Sequence, residues 1–368
     1  MSIEKERIST AQMVILGLFT LIGDMALVYP TTMTTGAHQD AWIAALISIP
    51  LGLALIFLLV TVANINPERS IIEIAQMVLG KWVSIPVNVF YLNFFILAAS
   101  TYVREMEDFL TTQIYEGTPG GVIRFMSLVI LVYGLRLGLE SVGRAAQVFF
   151  PLFALFLVSL MVLLFPQARV DRLYPMMTTP LPEMLHTVMF GVFYPFGEMC
   201  VFLMIYPYAR KSSKVNRDIF LSMFLGAVGL NLILFLSLTV LGVYFSEHNF
   251  YAAYILAQKI NIANFLQRLE ALMATAWIIT TYFKTAVYFY AFVLGTAQLF
   301  KLKNHRPLIF PTAFLIYGLS ELSAQNIVFY VKEIPVYWVD WDFTVAFVLP
   351  LAILIVYKVR QSRASPQQ

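Results

Sequence analysis

The chain has 368 residues, 60% of them apolar and only 12% charged, with a net charge of +3 and a mean hydropathy of +0.78. A soluble globular domain is nearer half apolar and a quarter charged, so these totals exclude one. The slight positive balance comes with no basic run interleaved with aromatics, which argues against a nucleic-acid partner. Cys200 is the only cysteine, which rules out an intrachain disulfide and a Cys-based metal site. His38, His186, His248 and His305 are far apart in sequence and form no ligand pair at helical spacing, so no metal and no cofactor are expected.

Seven residues, Met1 to Arg7, are short and charged, and a long apolar segment follows without a small-residue cleavage site. That segment is expected to stay as a spanning helix. Runs of roughly 20 apolar residues then recur to the C-terminal end, each long enough as a helix to cross about 30 Å of hydrocarbon. In chain order the predicted spans are 10–35, 41–63, 84–112, 122–140, 145–166, 186–207, 218–245, 268–299, 307–330 and 341–358. The expected architecture is an all-α membrane protein with about ten transmembrane helices in one domain over 1–368. No connecting segment is long enough for a soluble catalytic domain, and the sequence holds no Ser/His/Asp arrangement or phosphate-cradling glycine loop, so an enzyme is not expected.

Most Lys and Arg residues, among them Lys5, Arg7, Arg136, Arg144, Lys301 and Lys358, fall on one side of these spans. Only Arg124, Arg169, Arg172, Lys259, Arg268 and Lys332 fall on the other. The bias predicts that both termini are cytoplasmic. Ser70 to Leu79 carries apolar residues at helical spacing with Glu73 and Gln76 opposite, and reads as an interfacial helix or a connector packed on the bundle. Phe250 to Phe265 reads the same way.

The first and sixth spans echo each other. Gly23-Asp24-Met25 and Gly197-Glu198-Met199 share the order glycine, acid, methionine. At about 1.5 Å per residue, Gly23 lies roughly 20 Å from the cytoplasmic start of its span and Gly197 roughly 16 Å from the outer start of its own. Both fall near the midplane, approached from opposite faces. This is the pattern of an inverted five-plus-five repeat with discontinuous helices 1 and 6 at the ligand site. Repeat 1 covers about 10–166 and repeat 2 about 186–330, with the ninth and tenth helices at about 307–358. Gly23 supplies backbone freedom, Pro195 removes a donor and Gly197 relaxes steric limits, so both ladders should open there. Freed N–H groups attract a carboxylate and freed carbonyls a cation, which suits a zwitterionic amino acid. Glycine and proline also serve plain helix packing, whereas Asp24 and Glu198 at the bilayer centre each need a partner.

Lys284, near the middle of the eighth span, needs a counter-charge. It reads as a fixed cation or proton carrier beside the opened first helix, or as a buried ion pair that locks helices together. Tyr194, Phe196 and Tyr282 are placed by their neighbours to touch a midplane ligand. The candidate ligand residues are therefore Gly23, Asp24, Met25, Tyr194, Pro195, Phe196, Gly197, Glu198 and Tyr282, with Lys284 and Glu198 as proton, cation or gating groups. Arg104 should snorkel or pair locally with Glu105, Glu107 or Asp108. Glu140 and Arg144 are spaced as a helix pair. Glu321 reads as a buried packing contact.

The chain resembles the B subunits of endospore germinant receptors, the GerAB type within the amino acid/polyamine/organocation permease superfamily. The similar features are Tyr194-Pro-Phe-Gly-Glu-Met with Pro207 after it, Arg104 with Asp108-Phe109 and Thr118-Pro119, Gly138-Leu-Glu-Ser-Val-Gly-Arg144, and Arg268-Leu-Glu270 with Trp277 and Phe283-Lys284. The resemblance implies the LeuT/APC-like fold and recognition of a small germinant, commonly an amino acid, in a complex with A and C subunits in the inner spore membrane. A proton-coupled amino acid permease is the alternative it allows. The superfamily usually places a small residue after the first-helix glycine, where this chain has Asp24.

Overall fold

The structure, a computed structural model, describes residues 7–209, 215–260, 270–323 and 334–364. Lys5, Arg268, Lys332 and the ends of the expected segments 250–265 and 307–330 lie outside the described residues.

The first span starts where Ser9 caps it. The Ser9 hydroxyl accepts from the Gln12 N–H, and the Gln12 side chain accepts from the Ser9 N–H, which satisfies two donors of the first turn. The helix α1 (Thr10–Ile22) stops at Gly23 and Asp24, and α2 (Met25–Ala37) completes the crossing. A single 3₁₀ turn, His38–Asp40, leads into α3 (Ala41–Ala63). The short α4 (Ile71–Leu79) buries Ile71, Ile72, Ile74, Ala75 and Val78 and packs on α5 (Lys81–Gln113). It is thus a connector against the bundle.

The helices α6 (Gly120–Arg136) and α7 (Leu139–Leu164) complete the first half. The sixth span is α8 (Leu181–Val192), a π-helical turn at Phe193–Gly197, a 3₁₀ turn at Glu198–Val201 and the short α9 (Phe202–Ile205). Two helical ladders of different pitch thus meet where full opening was expected, between Gly197 and Glu198. The seventh span is α10 (Val215–Leu236), and after a π turn at Ser237–Leu241 come α11 (Val243–His248) and α12 (Ala252–Gln258). The eighth span is α13 (Glu270–Leu299) and the ninth begins as α14 (Ile309–Ser323). The tenth is α15 (Ile334–Phe343), a π turn and α16 (Leu349–Ala364).

Among the described residues seven helical segments are long and apolar enough to cross a membrane, one of them carrying both α2 and α3. The α13 helix is the hub, packing on α1, α5 and α7, and its inward face from Met273 to Gln298 is almost wholly buried. At one end of the bundle the Ile8 N–H donates to the Tyr208 carbonyl at 2.9 Å, tying the start of the first span to the end of the sixth. At the other end the Arg172 guanidinium donates to the Thr239 and Val240 carbonyls, capping the π turn of the seventh span.

Candidate functional site

Side chains three and four apart share a helix face, and on α13 this puts Trp277, Thr280, Lys284 and Tyr288 on the stripe that meets the first and sixth spans. The Trp277 indole N–H donates to the Asp24 carbonyl at 3.1 Å. Thr280 Oγ1 lies 3.2 Å from the Gly23 carbonyl, a donor shared with carbonyls of its own helix. The Gly23 and Asp24 carbonyls at the break thus accept from the eighth span.

Lys284 reaches across the break. Its stem runs so close to Gly23 that any Cβ there would collide with Lys284 Cδ, which makes glycine the residue that fits. Its ammonium pairs with Asp24 Oδ1 from the first span and with Glu198 Oε2 from the sixth, and all three side chains are fully buried. Two of its three donors are thus used, and the ammonium also lies 4.6 Å from the centroid of the Tyr102 ring. Glu198 Oε1 accepts from the Tyr102 hydroxyl at 2.6 Å and from the Trp338 indole at 2.9 Å, and the Glu198 carbonyl accepts from the Tyr288 hydroxyl at 2.6 Å. Burying ions costs several kcal/mol, and the two carboxylates on Lys284 and the hydroxyl and indole donors on Glu198 offset part of it.

Among the described residues, acids outnumber cations at this centre. Glu105 on α5 and Asp342 on α15 are buried, and neither carboxyl has a hydrogen-bond partner among the described residues. Both lie within electrostatic reach of Asp24, Glu198 and Lys284. The second oxygen of Asp24 is also without a partner. Asp342 packs directly on the sixth span, since a Cβ on Gly197 would stand 2.9 Å from Asp342 Cβ.

Of the residues expected from sequence, the fold brings Gly23, Asp24, Glu198 and Lys284 together, with Gly197 beside Asp342. Met25 and Pro195 are buried next to them in sequence. Tyr194 stacks on Phe190 at 4.8 Å, and Phe196 fills the space over Gly52 on α3. Tyr282 is not brought in. Two positions from Lys284 it faces the other side of α13, with its hydroxyl 3.5 Å from the Ile130 carbonyl on α6. Glu321 is also corrected: its side chain is 61% exposed and pairs with Arg124. Arg104 pairs with Asp108 at 3.1 Å, and Arg144 with Glu140 at 2.6 Å, both one turn away.

Sequence reasoning missed Tyr102, Glu105, Trp338 and Asp342. Trp338 and Asp342 are four apart on one helix face, but the hydropathy window starts the tenth span at 341 and leaves Asp342 at its rim. The helix starts at Ile334, which carries Asp342 into the interior.

Comparison with known proteins agrees with this architecture. The family model described as "Spore germination protein" matches residues 7–328. Spore germination protein KB of Bacillus subtilis (strain 168) is 30% identical over 98% of this chain and 98% of its own length. Among solved structures, MhsT in complex with L-phenylalanine superposes with a TM-score of 0.70 at 12% identity, covering 96% of this chain and 99% of that one. Mhp1, a nucleobase-cation-symport-1 family transporter with bromovinylhydantoin bound, gives 0.69 at 13%, covering 95% and 78%. The fold is that of the LeuT-like transporters, and the chain belongs to the spore germination protein family.

Proposed function

We propose that this chain is the germinant-sensing subunit of a spore germination receptor, with a small amino acid bound between the first and sixth spans. The observation that carries the reading is one buried ammonium, Lys284, held by Asp24 at the break in the first span and by Glu198 at the change of helical pitch in the sixth. That contact is an internal copy of what a guest's ammonium would make. The unpartnered oxygens of Asp24, Glu105 and Asp342 favour one more positive charge. A zwitterion inserts into the pair, its ammonium on a carboxylate and its own carboxylate on Lys284, which removes the repulsion that Asp24 alone would impose. Replacing the Lys284 tie frees the first and sixth spans to part, and the A and C subunits in the inner spore membrane read that movement. The guest shifts the equilibrium only by its differential affinity for the open arrangement.

Spores carrying Asp24→Asn test this. The amino acid dose-response is expected to move at least about tenfold to higher concentration, with the protein still present in the spore membrane. An unaltered response overturns the site. A proton-coupled amino acid permease is the second reading, favoured by the likeness to MhsT with L-phenylalanine bound. Uptake of labelled amino acid into liposomes under a pH gradient separates the two: accumulation marks a permease, binding without accumulation a receptor.

A further inference from the structure

A groove runs between the fourth and ninth spans, on the outside of the bundle and away from Lys284. Its floor is Leu128, Val132 and Ala313, all buried, and its walls include the rings of Phe125 and Phe314, 62% and 75% exposed. The groove encloses about 470 Å³. Its two ends differ in charge. At one, the Arg124 guanidinium lies 4.9 Å from the Tyr317 ring and is neutralised by Glu107 at 2.6 Å and by Glu321. At the other, the exposed Arg136 guanidinium lies 4.9 Å from the Phe310 ring and pairs with no carboxylate among the described residues. Glu140, one turn on, is already taken by Arg144 at 2.6 Å, and the exposed Lys301 and Lys303 lie in the loop that enters α14 at this same end.

We propose that the groove seats an acyl chain of an anionic glycerophospholipid whose phosphate rests on Arg136. The stretch of α6 from Arg124 to Arg136 rises about 18 Å, room enough alongside it for one acyl chain, which fills half of a hydrocarbon core about 30 Å thick. Helices that pack together in lipid present small residues to each other, whereas these walls are bulky rings that leave gaps a flexible chain fills. A basic pocket between helices at one membrane face is the chemistry that selects an anionic headgroup. Arg136, already held over Phe310 by a cation–π contact, offers a planar fork to phosphate oxygens.

The test uses the full chain in nanodiscs with Phe314→Trp as a reporter, read against the parent with its five native tryptophans. Brominated phosphatidylglycerol is expected to quench the added indole at about fivefold lower mole fraction than brominated phosphatidylcholine, the preference one basic side chain gives at a membrane surface. Arg136→Gln is expected to abolish the preference and Arg136→Lys to keep it. Equal quenching by the two lipids overturns the proposal, as does a preference that survives Arg136→Gln. Absence of quenching, with disulfide cross-links between Phe314→Cys copies, also overturns it, because a second copy then covers the groove.

Discussion

Asp24 and Asp40 flank the two ends of α2, and both are fully buried, yet they are satisfied in opposite ways. Asp40 accepts from the N–H groups of Met177, Thr178 and Thr179 at 2.7, 2.8 and 3.0 Å and from the Thr179 hydroxyl at 3.0 Å. These are neutral donors, all from one loop, and they hold even though Met177 sits in the left-handed region at φ 58°. Asp24 has Lys284 on one oxygen and, among the described residues, no partner on the other. A carboxylate saturated by a turn of backbone is a fastener. One shared with a flexible four-carbon amine is, on the proposed reading, a contact that a guest's ammonium takes over.

The most severe way to break this contrast is Lys284→Met. It leaves Asp24 and Glu198 buried without a counter-charge, a loss of about 3–5 kcal/mol for a buried pair deprived of one partner. Thermal unfolding of the purified protein should show it as a large fall in Tm. Adding Asp24→Asn and Glu198→Gln to Lys284→Met should recover most of the loss, because neutral amides carry no buried charge. If Lys284→Met alone is as stable as the parent, the two acids do not depend on this ammonium, and the contrast with Asp40 is lost.

Asp40→Asn is next, at about 2–3 kcal/mol, since the amide keeps the shape but loses charge-assisted acceptance from several donors. Burial by itself raises the pKa of Asp40 more than any single donor lowers it, but the Thr179, Met177 and Thr178 donors together hold it below the ordinary 3.8. A carboxyl lowered in the folded state contributes stability that is present above its unfolded value, near about 4, and is lost as pH falls through the folded value. Protection from hydrogen exchange at Met177, Thr178 and Thr179, taken relative to the intrinsic rate at each pH, should therefore fall on acidification below about pH 4 in the parent. In Asp40→Asn that protection should be low at every pH. Equal acid dependence in parent and variant would remove Asp40 as the fastener.

The sequence made the fold readable because hydropathy carries it: the spans are set by runs of apolar residues that need no knowledge of neighbours. It also made Asp24, Glu198 and Lys284 readable, because a charge at the bilayer centre stands out against that background, and Gly23 through the glycine-acid-methionine order shared with Gly197. What hydropathy hides is which side of a helix a polar group takes and where a helix extends past its apolar run. Tyr282 was misplaced for the first reason, since being near Lys284 in sequence put it on the opposite face. Asp342 was missed for the second, because α15 begins seven residues before the window does. Asp40 held no signal of its role, because its donors come from residues 177–179 and only the folded chain brings them near.

The finest test of exchangeability is Trp338→Phe. It deletes the indole N–H that Glu198 Oε1 accepts at 2.9 Å and keeps an aromatic ring beside Phe94, 5.8 Å away. Glu198 retains the Tyr102 hydroxyl and Lys284, so the cost is that of one hydrogen bond, about 1 kcal/mol. If that bond steadies the closed arrangement, removing it favours the open one by the same amount. The amino acid dose-response in spores should then move about fivefold to lower concentration. That is opposite in sign to the shift expected for Asp24→Asn, which on the proposed reading removes a carboxylate that the guest uses. A shift of Trp338→Phe to higher concentration instead would mean that the indole touches the guest and does not merely hold Glu198, and Glu198 would then belong with Asp40 among the fasteners.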